Sequence, residues 1–287
     1  MERIKEALER ARKERGAKGA WSAAGSVLDI NARAAAGSLD QIVYTRTRSV
    51  ELSPKRLREK RIILANEQSA AADAYKILRT QVLQRMQERG WNALAVTSPG
   101  YGEGKSLTAI NLAISLAMEV DKTVLLVDAD LREPRLHGFF GVDPEPGLSD
   151  YLTSDTPLES ILVHPGIGRF VLLPGGAPLL NSSEMLASRK MADLVQELKT
   201  RYPSRYVIFD LPPLLSAADV LAFSPHVDAA LLVIEDAATK KEEVARAAQL
   251  LGGTHLIGTV LNKSREASAL RDKPAANAGA ASRAGSR

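Results

Sequence analysis

Six short aliphatic runs punctuate the middle of the chain: "ALAVT" (93–97), "TVLLVD" (123–128), "FVLLP" (170–174), "YVIFD" (206–210), "AALLVI" (229–234) and "LIGTVLN" (256–262). They are runs of the fully buried type, and strands of that type are those of a parallel sheet covered on both sides. Helix-length amphipathic segments separate most of them, so the chain is predicted to be α/β, a mostly parallel sheet with helices on both faces. One such segment, "NSSEMLASRKMADLVQELKTRY", reads as a helix that Asn181 caps, with Glu184 completing a capping box. Ligands of a sheet of this kind bind at the carboxyl ends of its strands, and the chemistry is sought there.

Charge divides the 287 residues into three parts. Lys and Arg outnumber Asp and Glu by 15 to 8 over residues 1–61 and by 6 to 2 over 263–287, whereas acids lead by 24 to 17 over 62–262. The net +4 therefore comes from basic ends around an acidic centre, which argues against nucleic acid as the partner. Residues 1–61 read as a basic arm, with a short helix over the first fifteen residues, a linker, and a short strand within "DQIVYTRTRSVEL". Residues 62–263 read as the folded domain, and 264–287 as a disordered low-complexity tail. The charged opening lacks the apolar core of a signal peptide, and no segment approaches the ~20 apolar residues of a membrane span, so the chain is expected in the cytoplasm. With no cysteine, thiolate metal sites are excluded, and His137, His164, His226 and His255 show no ligand spacing.

The stretch "SPGYGEGKSL" (98–107) follows the first run and opens a helix. In that context closely spaced backbone N–H groups wrap phosphates, Lys105 reaches the β and γ phosphates, and Ser106 holds Mg²⁺. Pro99 stands where the phosphate-loop consensus has its first glycine, while the GxGxG spacing of Gly100, Gly102 and Gly104 does not fit a dinucleotide fingerprint. Two other runs end in carboxylates: Asp128 and Asp130 follow one, and Asp210 closes another before Pro212 and Pro213. Acids ending buried strands are costly unless paired or metal-bound. Together with the loop they make a candidate Mg²⁺-nucleotide site. The nucleotide contacts are Gly100, Gly102, Glu103, Gly104, Lys105, Ser106 and Leu107, with Asn262 past the last run as a base contact or a turn residue.

DxDxR (Asp128, Asp130, Arg132), DxPP (Asp210, Pro212, Pro213) and GKS after aliphatic runs resemble the Walker A′, B and A set of the bacterial tyrosine kinases of capsular and exopolysaccharide biosynthesis, over about residues 67–263. The resemblance implies a P-loop NTPase-like fold and an ATP- and Mg²⁺-dependent protein-tyrosine kinase. It assigns phosphate contacts to Lys105, Mg²⁺ to Ser106, Asp130 and Asp210, and the catalytic carboxylate to Asp128. With reference pKa values of ~3.9 for Asp and ~10 for Tyr, full proton abstraction would be uphill by ~8 kcal/mol, so Asp128 would orient the hydroxyl and take its proton late.

The resemblance also implies a ring of copies joined where the family has ExxRxxR and this chain has Asp73, Lys76 and Arg79 on an amphipathic helix striped by Ala71, Tyr75, Leu78, Val82 and Met86. It implies an activator, the cytoplasmic tail of a membrane-anchored polysaccharide chain-length regulator, which would recruit the chain to the inner face of the plasma membrane. The family's C-terminal tyrosine cluster is missing: the last tyrosine is Tyr206, and Tyr44 alone lies in an arm. Two other functions share the site. One is a partitioning-type ATPase switch, against which stands Gly100 at the position of that class's signature lysine; the other is a nucleotide-dependent scaffold without catalysis.

Overall fold

The structure, a computed structural model, describes residues 47–264 apart from 65–66, 120–121 and 203. The helix read over the first fifteen residues, Tyr44, and the tail from residue 265 lie outside the described residues. Strands β1 (Arg48–Ser49), β2 (Ala93–Thr97), β3 (Thr123–Asp128), β4 (Val163–His164), β5 (Phe170–Leu173), β6 (Arg205–Asp210), β7 (Ala229–Glu235) and β8 (His255–Asn262) form one sheet. Their order is β1-β4-β5-β3-β6-β2-β7-β8. Every pairing is parallel except β4 with β5. The six aliphatic runs are the six long strands, and β1 falls inside the short strand read at 40–52.

Strand alternation divides the interior into two cores. Leu94, Val96, Leu126 and Ile208 face helix α3 (Lys105–Ala117) and α2 (Ala70–Gln87), through Ile110, Ile114, Val82 and Met86. Their sequence neighbours Ala95, Leu125, Val127 and Phe209 face the other way, toward Leu194 and Val195 of α8 (Arg189–Thr200) and Phe223 of α9 (Asp219–Phe223). Burial on both faces is why these strands carry no polar alternation. The exception is β8, half-buried to exposed along its length. It is the edge of the sheet and pairs with β7 alone, so its aliphatic run is not the fully buried strand that its composition suggests.

Two local expectations are corrected. The segment from Asn181 is two helices, α7 (Ser182–Leu186) and α8, because Ser188 is extended and its hydroxyl accepts the Met191 N–H at 3.2 Å, capping a new helix. Asn181 makes no side-chain cap bond, and the Glu184 carboxylate instead accepts the Ser183 hydroxyl at 2.9 Å. On α2 the buried small residue is Ala72 rather than Ala71; Val82 and Met86 are buried as the stripe requires.

The charged segment before residue 62 contributes to the packed body from residue 48 onward. Helix α1 (Pro54–Glu59) buries Leu57, and Ile62 joins the same core. Asn111 of α3 staples the chain that follows: its Oδ1 accepts the Ile63 N–H at 2.9 Å and its Nδ2 donates to the Arg61 carbonyl at 3.1 Å. Six charges in the seven residues 55–61 mask one buried leucine, which is why composition places the limit of the arm later than packing does.

Candidate active site

The site is built where β2, β6 and β3 end side by side. Val96 pairs with Asp210 across β2 and β6, and Asp128 pairs with Asp210 across β3 and β6, so register alone sets the two carboxylates next to the loop that leaves β2. That loop turns into α3 at Gly104, whose φ of 92° only glycine adopts easily. A Cβ there would also lie 2.1 Å from Asn262 Nδ2, so geometry and space both require glycine. Lys105 is the first helical residue. Its ammonium lies 2.9 Å from Asp130 Oδ2 and 3.6 Å from Asp210 Oδ1.

Asp128 is fully buried. Its Oδ2 accepts the N–H groups of Arg135 at 2.9 Å and Leu136 at 2.8 Å, the latter opening the short helix α4 (Leu136–Phe140). Burial, reinforced by the neighbouring charge of Asp210, pushes its pKa up to about 8 despite the Leu136 bond and Lys105. Burial also raises Asp210, outweighing Lys105 and Ser106. Burial opposes the charge of Lys105, yet Asp210 and Asp130 overcome it and raise its pKa. The site therefore holds more carboxylate than its single lysine neutralises. Asp128 Oδ1 and Asp210 Oδ1 are buried without a hydrogen-bond partner, a donor set suited to a hard cation. No ready-made cluster of three or more His, Cys, Asp or Glu ligands occurs among the described residues. Mg²⁺ does not require one, since water and substrate phosphates supply most of its ligands.

The loop has a second anchor. Glu103, 6% exposed, accepts the Gly100 N–H at 2.9 Å on one oxygen and the Thr239 hydroxyl on the other. The Thr239 hydroxyl in turn accepts the Glu235 N–H at 2.8 Å, at the end of β7. Asn262, ending β8, donates from Nδ2 to the Glu103 carbonyl at 2.8 Å. The Asn262 amide thus engages the loop backbone, a partner not anticipated from its position after an aliphatic run. Gly100, Ser106 and Leu107 are partly buried around the loop and Gly102 is exposed. Thr239 went unread because no motif surrounds it.

A further unread residue is Asp219, opening α9 with no exposure. Its Oδ1 accepts Arg132 Nε at 2.9 Å, which fixes a guanidinium two residues beyond Asp130. Away from the site, on α2, Lys76 Nζ lies 3.2 Å from Asp73 Oδ1. Arg79 meets Glu119 at 3.1 Å and donates to the Ser115 carbonyl at 3.2 Å, both near the end of α3.

A buried strand, a glycine-rich loop, a helix-opening lysine and strand-terminal carboxylates on neighbouring strands define a P-loop nucleotide-binding protein. Residues 93–250 match the AAA domain family. Tyrosine-protein kinase YwqD of Bacillus subtilis is 32% identical over 209 residues, covering 72% of this chain and 87% of that protein. The chain belongs to the bacterial tyrosine-kinase family. Tyrosine-protein kinase etk of Escherichia coli is 31% identical over 78% of this chain, which spans 31% of that longer protein. The solved kinase domain of the E. coli tyrosine kinase ETK superposes with a TM-score of 0.64 at 30% identity, covering 77% of this chain and 89% of that domain. Among the described residues no helix is long and apolar enough to cross a membrane.

Proposed function

We propose that the protein is a Mg²⁺- and ATP-dependent protein-tyrosine kinase that regulates the assembly or export of an extracellular polysaccharide. The observation that carries this reading is the convergence of Lys105, Asp130, Asp210 and a buried Asp128 on three adjacent strand ends. Lys105 and the loop N–H groups of residues 100–107 bind the phosphates. Ser106, Asp130 and Asp210 would hold Mg²⁺, which when bound would supply positive charge against the transferring phosphoryl group. A tyrosine hydroxyl attacks the γ-phosphorus, ADP leaves, and Asp128 orients the hydroxyl and receives its proton. Burial of Asp128 disfavours its charged form, which suits a carboxylate that takes a proton late in the transfer. The ammonium of Lys105 lies beside two of the carboxylates that the cation would take, 2.9 Å from Asp130 and 3.6 Å from Asp210.

The activator in this reading is the cytoplasmic tail of a membrane-anchored chain-length regulator. A ring of copies through Asp73, Lys76 and Arg79 belongs to the same proposal. It requires Arg79 to share or leave its bonds to Glu119 and Ser115.

The test is incubation of the full chain with Mg·ATP, with and without Lys105→Met, following phosphate release and phosphotyrosine together. The wild type should form phosphotyrosine and the variant should lose at least ~100-fold. Phosphate release without phosphotyrosine, even with a regulator tail added, would replace the kinase by an ATPase switch.

A further inference from the structure

The tyrosines among the described residues are Tyr75, Tyr101, Tyr151, Tyr202 and Tyr206, and they differ in how far each could serve as an acceptor for the phosphoryl group. Most tyrosines among the described residues are unsuited to receive it. Tyr206 is 5% exposed within β6, and burial raises its phenol and that of Tyr75. Tyr151 is half-buried beneath Lys190, whose ammonium lies 5.1 Å from the ring centre. Tyr202 is 45% exposed, but it precedes β6, at the end of the sheet opposite Asp210. Tyr101 differs on both counts. It is 63% exposed and sits between Gly100 and Gly102 on the phosphate loop, at the mouth of the Lys105 site.

We propose that Tyr101 is a phosphoacceptor modified by a second copy of this chain, with Arg132 as the counter-ion waiting for the product. The inference rests on the kinase reading above. The in-line course of phosphoryl transfer favours transfer between copies. The loop wraps the leaving β-phosphate, four residues ahead of Lys105, whereas the attacking oxygen must approach the γ-phosphorus from the opposite side, in line with the bond that breaks. A side chain rooted on the leaving-group wall starts on the wrong side of its own nucleotide. It can be offered outward, and the glycines on either side, Gly102 at φ 80°, let the backbone present the ring. At the donor copy's site the Tyr101 oxygen of the acceptor copy bonds to the γ-phosphorus and the bond to the β–γ bridging oxygen breaks. ADP departs with that electron pair, and the phenolic proton passes to the donor copy's Asp128.

The receiving side is already built. Arg132 is held through Nε by the unexposed Asp219, while its side chain keeps 43% exposure at the same rim. The Tyr101 phenol lies within electrostatic reach of this guanidinium. Phosphorylation adds about −1.5 to −2 charge and three acceptor oxygens beside a preset guanidinium. The same charge stands at the entrance to a phosphate site. The modified copy should therefore bind its next nucleotide less well, and the kinase limits itself.

The experiment mixes the wild-type chain as donor with Lys105→Met as acceptor in Mg·ATP, with a glutamate–tyrosine copolymer as control acceptor. The tryptic peptide that carries Tyr101 together with the Lys105→Met substitution reports the acceptor alone by its mass. Phosphate on that peptide, absent when the wild-type donor is omitted, is the expected result. A nitrogen-15-labelled Asp128→Asn chain as acceptor should give the same answer, so a folding defect in one variant does not decide it. Prior incubation with Mg·ATP should raise the wild-type KM for ATP by ~3- to 10-fold but leave that of Tyr101→Phe unchanged. A labelled copolymer with unmodified Tyr101 in both acceptors overturns the proposal while the kinase reading stands. If neither copolymer nor chain is labelled, the kinase reading fails and takes the proposal with it. A modified Tyr101 with an unchanged KM overturns the self-limitation.

Discussion

Asp128 shows what one buried acid costs. Both hydrogen bonds to it come from N–H groups on Oδ2, while Oδ1 has none, so an asparagine could keep the first pair on its own oxygen and lose little. The folded pKa of about 8 lies above the unfolded ~3.9, so the folded chain binds this proton more tightly. The resulting stabilisation is complete below about pH 4, fades as pH rises, and is gone above about 8. Asp128→Asn should therefore make the nucleotide-free protein more stable than wild type by about 1–3 kcal/mol at pH 9, with little difference at pH 4. Urea denaturation at pH 4, 6.5 and 9 reads the difference directly. An advantage that did not grow with pH would contradict the raised pKa. The position of this acid was legible because an aliphatic run ending in Asp is rare without a purpose. Its raised pKa was not, since that depends on full burial in the folded sheet and on Asp210 lying opposite in register, a neighbour 82 residues away.

At the scale of elements, the phosphate loop is set by more than its glycines. The chain of contacts from Gly100 through Glu103 and Thr239 to the Glu235 N–H ties the loop after β2 to the turn after β7. Thr239→Val removes one hydroxyl from a partly buried network and should weaken nucleotide binding about 5- to 10-fold, at about 1 kcal/mol for the lost bond. The transfer rate at saturating ATP should stay within about twofold, and Thr239→Ser should restore affinity; nucleotide titration and a comparison of kcat with KM check this. Loss of kcat alone would assign Thr239 a different part. The loop, its lysine and the strand-end acids could be read from spacing because backbone geometry dictates them locally. Thr239 and Asp219 could not, because each acts through a partner that only the folded sheet brings near. The division of the 181–202 segment was missed for a related reason. Ser188 looked like a polar position on a helix face, and it is in fact a cap.

For the whole molecule, the alternation of aliphatic runs with amphipathic segments was enough to give a mostly parallel sheet with helices on both faces. The order of the strands and the exposed edge at β8 were not contained in that pattern, since composition reports burial but not neighbours. The segment from residue 48 to 61 is the other omission. Leu57 is 4% exposed, so Leu57→Ala should destabilise the domain by about 2–5 kcal/mol, whereas an exposed arm residue would cost under ~0.5. Thermal or urea unfolding of the full chain distinguishes the two. Asn111 grips this segment six residues along the helix that begins with Lys105, about 9 Å on at 1.5 Å per residue. The first half of the helix thus joins a grip on that segment at its middle to the Lys105 ammonium at its start. A pull on the chain ahead of residue 61 therefore has fewer than two turns of helix to cross before it meets Lys105.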